Sequence, residues 1–215
     1  MEIYTQPLTA FARFFEATPR LKVTMVRDAR LFQSDPQGYY LRAYYGAFRN
    51  VLRQTHWRGS DLATFEAKLD DIIAEQNIPA KQEHYRALGK AYVSFWNPYL
   101  GASVFEVPPV ETEIAGLRIR VTAEFGINFG GDDYALEPYF RVPKPTRLFR
   151  QATQFITEQA RQHVWNPNWH AAIYDVRRKL ILPEMRIRTQ DLRIGLEGAA
   201  ADFQQIWKSL EHPGP

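Results

Sequence analysis

The sequence predicts an α+β fold: a helical N-terminal half packed with a mixed sheet that begins as an antiparallel meander and continues through helix-strand to a C-terminal helix. Three observations carry this expectation. Apolar residues recur at helical spacing in successive segments before residue 98, and the character turns extended after Pro108-Pro109. Period-2 alternation then runs from Leu117 to Phe129, meets Gly130-Gly131-Asp132-Asp133, and resumes beyond it. Leu117, Ile119, Val121, Ala123, Phe125, Ile127 and Phe129 take one face, while Arg118, Arg120, Thr122, Glu124 and Asn128 take the other. A long hairpin with one wet side follows.

The elements can be justified in order. From Thr9 a short helix places Phe11, Phe14 and Phe15 on one side, and Thr18-Pro19 ends it. Lys22 to Arg30 reads either as an alternating strand or as a helix carrying Val23, Val26 and Arg30; the turn residues Asp35-Pro36-Gln37-Gly38 favour helix. Tyr40, Leu41, Tyr44, Tyr45, Phe48, Val51 and Leu52 give a helix over Tyr39 to His56. Ser60 suits the N-cap of the next, with a stripe of Leu62, Phe65, Leu69, Ile72 and Ile73, and Pro79 suits N1 of a third that stops at Asn97-Pro98.

Val110 to Ile114 reads as a strand, Ala115-Gly116 as a turn, Leu117 to Phe129 as the second strand and Tyr134 to Val142 as the third. Pro138 marks the third as an edge strand or a bulge. Thr146 caps a helix through about Gln162, Ala171 to Val176 and Leu180 to Ile187 are extended, and a last helix runs from about Asp191 to Leu210. A single domain, 1–215, is expected, with 1–98 as the helical half and 99–215 as the α/β half.

Composition limits the chemistry. In 215 residues there is no cysteine, which removes disulfides, thiolate metal sites and cysteine nucleophiles. A cytoplasmic setting is expected, because the N-terminus lacks a signal-peptide pattern and no stretch approaches the ~20 apolar residues of a membrane helix. Net charge is +3, from 27 Lys and Arg against 24 Asp and Glu, so local clusters outweigh the total. Arg141, Lys144, Arg147 and Arg150 cross a strand-to-helix junction, and Arg177-Arg178-Lys179 occupy a turn. Either cluster can hold the phosphates of DNA or RNA, and either is also what an ordinary solvated turn looks like.

The order of helices, three meandering strands, a helix and another strand resembles the core of the PD-(D/E)XK nuclease superfamily over about Ala80 to Ile187. The chain also resembles a bacterial family of uncharacterised proteins through Leu117 to Gly131, Tyr139-Phe140-Arg141 and Asp175-Val176-Arg177-Arg178. The first resemblance implies phosphodiester cleavage with Mg2+ or Mn2+ held between an Asp ending the second strand and an acid on the third, a Lys following two positions later. This chain departs from it. The second strand ends Gly126-Ile127-Asn128-Phe129, and Tyr139 stands where the Lys should be.

With Phe129 opposite Tyr134, the wet face would set Glu124 beside Tyr139, Gly126 beside Glu137 and Thr122 beside Arg141. Glu124, Glu137, Tyr139 and Arg141 are therefore the candidate catalytic cluster, against a plain reading of ion pairs from Glu137 to Arg120 or Arg118. The eroded motif favours a non-catalytic binding or interaction protein without a cofactor, with sequence-independent nucleic-acid binding at Arg141, Lys144, Arg147, Arg150, Arg177, Arg178 and Lys179. The alternative is a divergent metal-dependent nuclease. His56, His84, His163, His170 and His212 lack zinc spacing. The loop Trp165-Asn166-Pro167-Asn168-Trp169 can stack a base or pin itself to the core, and Tyr39, Tyr40, Tyr44 and Tyr45 can serve a protein partner or the core.

Overall fold

The computed structural model describes residues 5–35, 45–57, 62–96, 99, 102–141, 144–164, 166, 168–182 and 189–211. Along them run β1 (Gln6–Pro7), α1 (Leu8–Glu16), α2 (Pro19–Ser34), α3 (Gly46–Trp57), α4 (Leu62–Ala74) and α5 (Pro79–Phe95). There follow β2 (Ser103–Phe105), β3 (Val110–Ile114), β4 (Leu117–Val121), β5 (Phe125–Phe129), β6 (Asp132–Tyr139), α6 (Arg147–Val164), β7 (Trp169–Asp175), β8 (Leu180–Leu182) and α7 (Thr189–Glu211). The α+β class and the helical N-terminal half are as expected. Prolines open α2 and α5, where a missing N–H costs nothing. Thr146 caps α6, its Oγ1 accepting from the Phe149 N–H at 3.0 Å.

The strands form two sheets, β1-β4-β3 and β2-β5-β6-β7-β8. In the larger sheet β6 and β7 are parallel, joined by α6 as the crossover, and the remaining pairs are antiparallel. Leu117 to Phe129 is thus not one strand, and the expected three-strand meander does not form. The chain leaves the smaller sheet after Val121 and enters the larger at Phe125, pinned between them by the Glu124 N–H donating to Leu136 O at 3.0 Å. The hairpin register also differs, with Phe129 opposite Asp132 rather than Tyr134. Gly130 at φ 65° and Gly131 at φ 94° make a two-residue turn and release Asp132 and Asp133 into β6. A shift of two leaves every side chain on its own face.

β6 is a central strand despite Pro138. Leu136 O accepts from the β5 side and Tyr139 O from Val176 on the β7 side, so alternation turns the Pro138 nitrogen toward β5, beyond the point where β5 begins. No partner is lost there. The expected strand ends Val142 and 183–187 lie outside the described residues, as do Ser60 and the start of the Tyr39 to His56 helix.

Helices cover both faces of the larger sheet. Phe125, Ile127, Leu136 and Tyr174 pack under α3, α4 and α5 with Phe48, Phe65, Tyr85 and Phe95. Ala123, Ala135 and Ile173 look the other way, into a core shared with α1, α2, α6, α7 and the smaller sheet, including Phe14, Ile119, Phe203 and Trp207. The strands β5 to β7 carry apolar residues on both sides, so neither side can be left to water. Phe125 and Ile127 are fully buried, and Arg118 and Arg120 are exposed, as the alternation requires.

Candidate functional site

Where the chain passes between sheets, Glu124 turns inward and meets α3. Arg49 and Arg53 stand one turn apart on that helix, on the same face. Arg49 Nη1 donates to Glu124 Oε1 at 2.9 Å, and its Nη2 donates to Glu137 Oε1 at 3.1 Å. Arg53 makes a two-pronged contact with Glu124, through Nε to Oε2 and through Nη2 to Oε1 at 3.1 Å. Glu124 is 0% exposed and Glu137 8%, while the arginine side chains keep 26% and 28%. Arg49 also lies over the Phe140 ring, 5.5 Å from its centroid, and Tyr45 stacks on the same ring at 5.1 Å.

Burial pushes the Glu137 carboxyl up to about 7; the Arg49 guanidinium opposes the rise and the Glu124 carboxylate adds to it. Burial works against the Arg49 charge, but the two carboxylates prevail and hold its pKa above the ordinary value. The cluster sets two acids against two guanidiniums. Both oxygens of Glu124 are taken by arginine, whereas Glu137 meets Arg49 through Oε1 alone and also lines a small cavity.

The expected wet-face cluster is only partly assembled. Glu124 is not on a wet side but buried, because its strand has ended and its side chain follows the turn into the α3 interface. Glu137 joins it. Tyr139 does not: it pairs with Asp175 and packs edge-on against Phe149 at 5.5 Å, with burial raising its phenol. Arg141 is exposed beyond the end of β6. Gly126 faces Ala135 rather than Glu137, and Arg118 and Arg120 lie opposite Glu113 and Glu111 instead of near Glu137. Asn128 Nδ2 donates to Asp133 Oδ1 at 2.8 Å.

The basic residues sort by environment. Arg141, Lys144, Arg147 and Lys179 are exposed. Arg150 is half-buried beside a cavity of about 20 Å³, room for about one water, that it shares with Glu137, Thr153 and Thr157. Arg177 Nε donates to Phe140 O at 2.7 Å and its Nη2 touches His84 Nε2. Burial, then the Arg177 charge, lowers the His84 pKa. Arg178 pairs with Asp175 at 2.7 Å. The Val176 N–H donates to Tyr139 O at 3.1 Å, so the chain after β6 and the chain after β7 leave the sheet side by side. Arg141, Lys144, Arg147 and Lys179 thus lie on connections that follow the C-terminal ends of the parallel pair.

Of the aromatic loop, Trp169 leans on Phe105 at 4.9 Å, while Trp165 and Pro167 lie outside the described residues. Tyr39, Tyr40, Tyr44 and His212 lie outside them too, as do the side chains of His56 and His163. Among the described residues there is no group of three or more acids or histidines placed to share a metal ion. No helix among them is long and apolar enough to cross a membrane. Arg49 and Arg53 are absent from the sequence-derived site. Their signal is an i, i+4 pair of arginines bordering the buried residues Phe48 and Leu52. No protein-family model, curated protein or solved structure matches the chain.

Proposed function

We propose that the protein is a non-catalytic binding protein that holds DNA or RNA through phosphate contacts, without reading bases, at the C-terminal end of β6 and β7. The observation that carries the non-catalytic part is the pairing of Glu124 and Glu137 with Arg49 and Arg53. In a PD-(D/E)XK-like core, two carboxylates must be open to a divalent ion and a Lys must follow. Here guanidiniums occupy both acids, and Tyr139 stands in the Lys position. The exposed Arg141, Lys144, Arg147 and Lys179 supply the cations, tempered by Glu16, which accepts a hydrogen bond from Thr146 at the start of α6. Contacts of this kind position a backbone and carry no sequence information.

A second reading, a divergent nuclease, is favoured by the convergence of Glu124 and Glu137 on one guanidinium. One experiment separates them. Single-stranded DNA, duplex DNA and RNA are incubated with the protein at 50 mM and 200 mM salt, with and without Mg2+ or Mn2+. Binding without cleavage is expected, with affinity falling steeply as salt rises. Replacing Arg141, Lys144 and Arg147 together by Gln should flatten the log-log slope by about 0.7–0.9 per lost phosphate contact. Metal-dependent cleavage that disappears in Glu137→Gln would establish the nuclease instead.

A further inference from the structure

The opposite end of the β6–β7 pair carries a different surface. Register places Ile127 opposite Tyr134 and Tyr134 opposite His170, so Phe129, Tyr134, His170 and Ala172 share the sheet face that α3, α4 and α5 cover further along. At this end the face opens into a cavity of about 440 Å³ lined by Tyr99, Phe129, Tyr134 and His170, with Ile181 and Leu182 on the β8 side. Ala171 and Ala172 on β7 also line it. The volume falls in the roughly 300–1,000 Å³ range of small-molecule sites.

The rings come in two pairs. Tyr99 meets Phe129 edge to face at 4.8 Å, and Tyr134 lies 5.6 Å from His170. Phe129 is 40% exposed, an aromatic ring left open beside the cavity. The charge at the rim is negative. Asp132 Oδ2 accepts a long hydrogen bond from the Tyr134 hydroxyl at 3.4 Å, and its Oδ1 lies 3.9 Å from His170 Nε2. Among the described residues that line it there is no Lys or Arg. Ring faces are electron-rich, so aromatic walls with a carboxylate at the mouth favour a compact, weakly hydrated organic cation. A phosphate would meet Asp132.

We propose that this groove binds a small organic cation of the quaternary or methylated ammonium class, with the head group against Tyr99, Phe129 and Tyr134 and its charge balanced by Asp132. The groove and the basic end are separated by most of the length of β6, roughly 23 Å at 3.3 Å per residue, so the two sites are independent.

The test is a titration of isotope-labelled full-length protein followed by NMR. Choline chloride is the probe, its neutral isostere 3,3-dimethyl-1-butanol the comparison, and sodium chloride at equal ionic strength the control. Saturable shifts confined to Tyr99, Phe129, Tyr134 and His170 are expected, with the neutral alcohol weaker by about tenfold. Phe129→Leu and Asp132→Asn, both at exposed positions, should each weaken choline binding while leaving the remaining spectrum unchanged. Equal affinity for the alcohol would overturn the proposal, since the groove would then be merely apolar. Tighter binding of a mononucleotide than of choline would overturn it too, in favour of base stacking, as would the absence of any saturable shift.

Discussion

Glu124 and Glu137 share Arg49 but play unequal parts. Glu124 is wholly enclosed and takes three of the four arginine contacts, so it is the anchor that holds α3 to the sheet. Removing it as Glu124→Ala leaves two guanidiniums facing each other over an apolar interface. Breaking a fully buried pair costs roughly 3–5 kcal/mol. With about a quarter of each arginine side chain open to water, the expected loss is about 2–3 kcal/mol, measurable by urea denaturation. Glu137 behaves differently, because its folded carboxyl titrates near 7 against 4.5 for the free group. The folded state therefore binds the extra proton between those values, and the contribution of Glu137 to stability is greatest below about 4.5 and is lost as pH rises through about 7. By linkage the decline is at most about 3 kcal/mol, shared with Arg49. Glu137→Gln should remove that slope and match or exceed the native protein at pH 8. Thermal melts across pH 5–8 that run parallel for the two proteins would refute this assignment.

At the level of elements, the larger sheet depends on a close approach. A methyl group at Gly126 would lie 2.2 to 2.6 Å from three ring atoms of Phe105, its partner on β2. Gly126→Ala must therefore push the ring away and loosen a three-residue edge strand. A cost of about 1–3 kcal/mol is expected, with amide protection lost in β2 before β5. The restored stability of Gly126→Ala combined with Phe105→Leu would locate the clash. This close approach was foreseeable only as a gap in the alternation. Most elements were legible, because amphipathic stripes such as Leu192, Leu196, Ala199, Phe203 and Trp207 survive in the fold as buried faces. What stayed hidden was the change of sheet at Thr122 to Glu124. Val121, Ala123 and Phe125 are all buried there, so the period continues across a break in the strand. The acids of the site could be named from their spacing in the hairpin. Their partners could not, since Arg49 and Arg53 lie about 70 residues earlier and nothing local in β5 or β6 points to α3.

For the molecule as a whole, the five-stranded sheet serves two cores at once. Phe14 is fully buried with α7 and the smaller sheet on one side, and Phe65 is fully buried between α4 and α5 on the other. They never touch. Yet Ala135 and Leu136 are neighbours on β6 that point into opposite cores, and Ile173 and Tyr174 do the same on β7. Loss of packing on one side strips one face of strands whose other face the second core requires, and a sheet with one bare apolar face is not a stable alternative. The two cores should therefore unfold together. Phe14→Ala and Phe65→Ala each remove a large buried ring at a cost of about 3–5 kcal/mol. Each should lower a single denaturation midpoint by a similar amount, and hydrogen exchange should show amides of α1, α4 and α7 losing protection in step in both variants. If Phe65→Ala released only the amides of α3 to α5 and left those of α1 and α7 at native protection, the sheet would be a boundary between two independently stable units rather than the element that couples them.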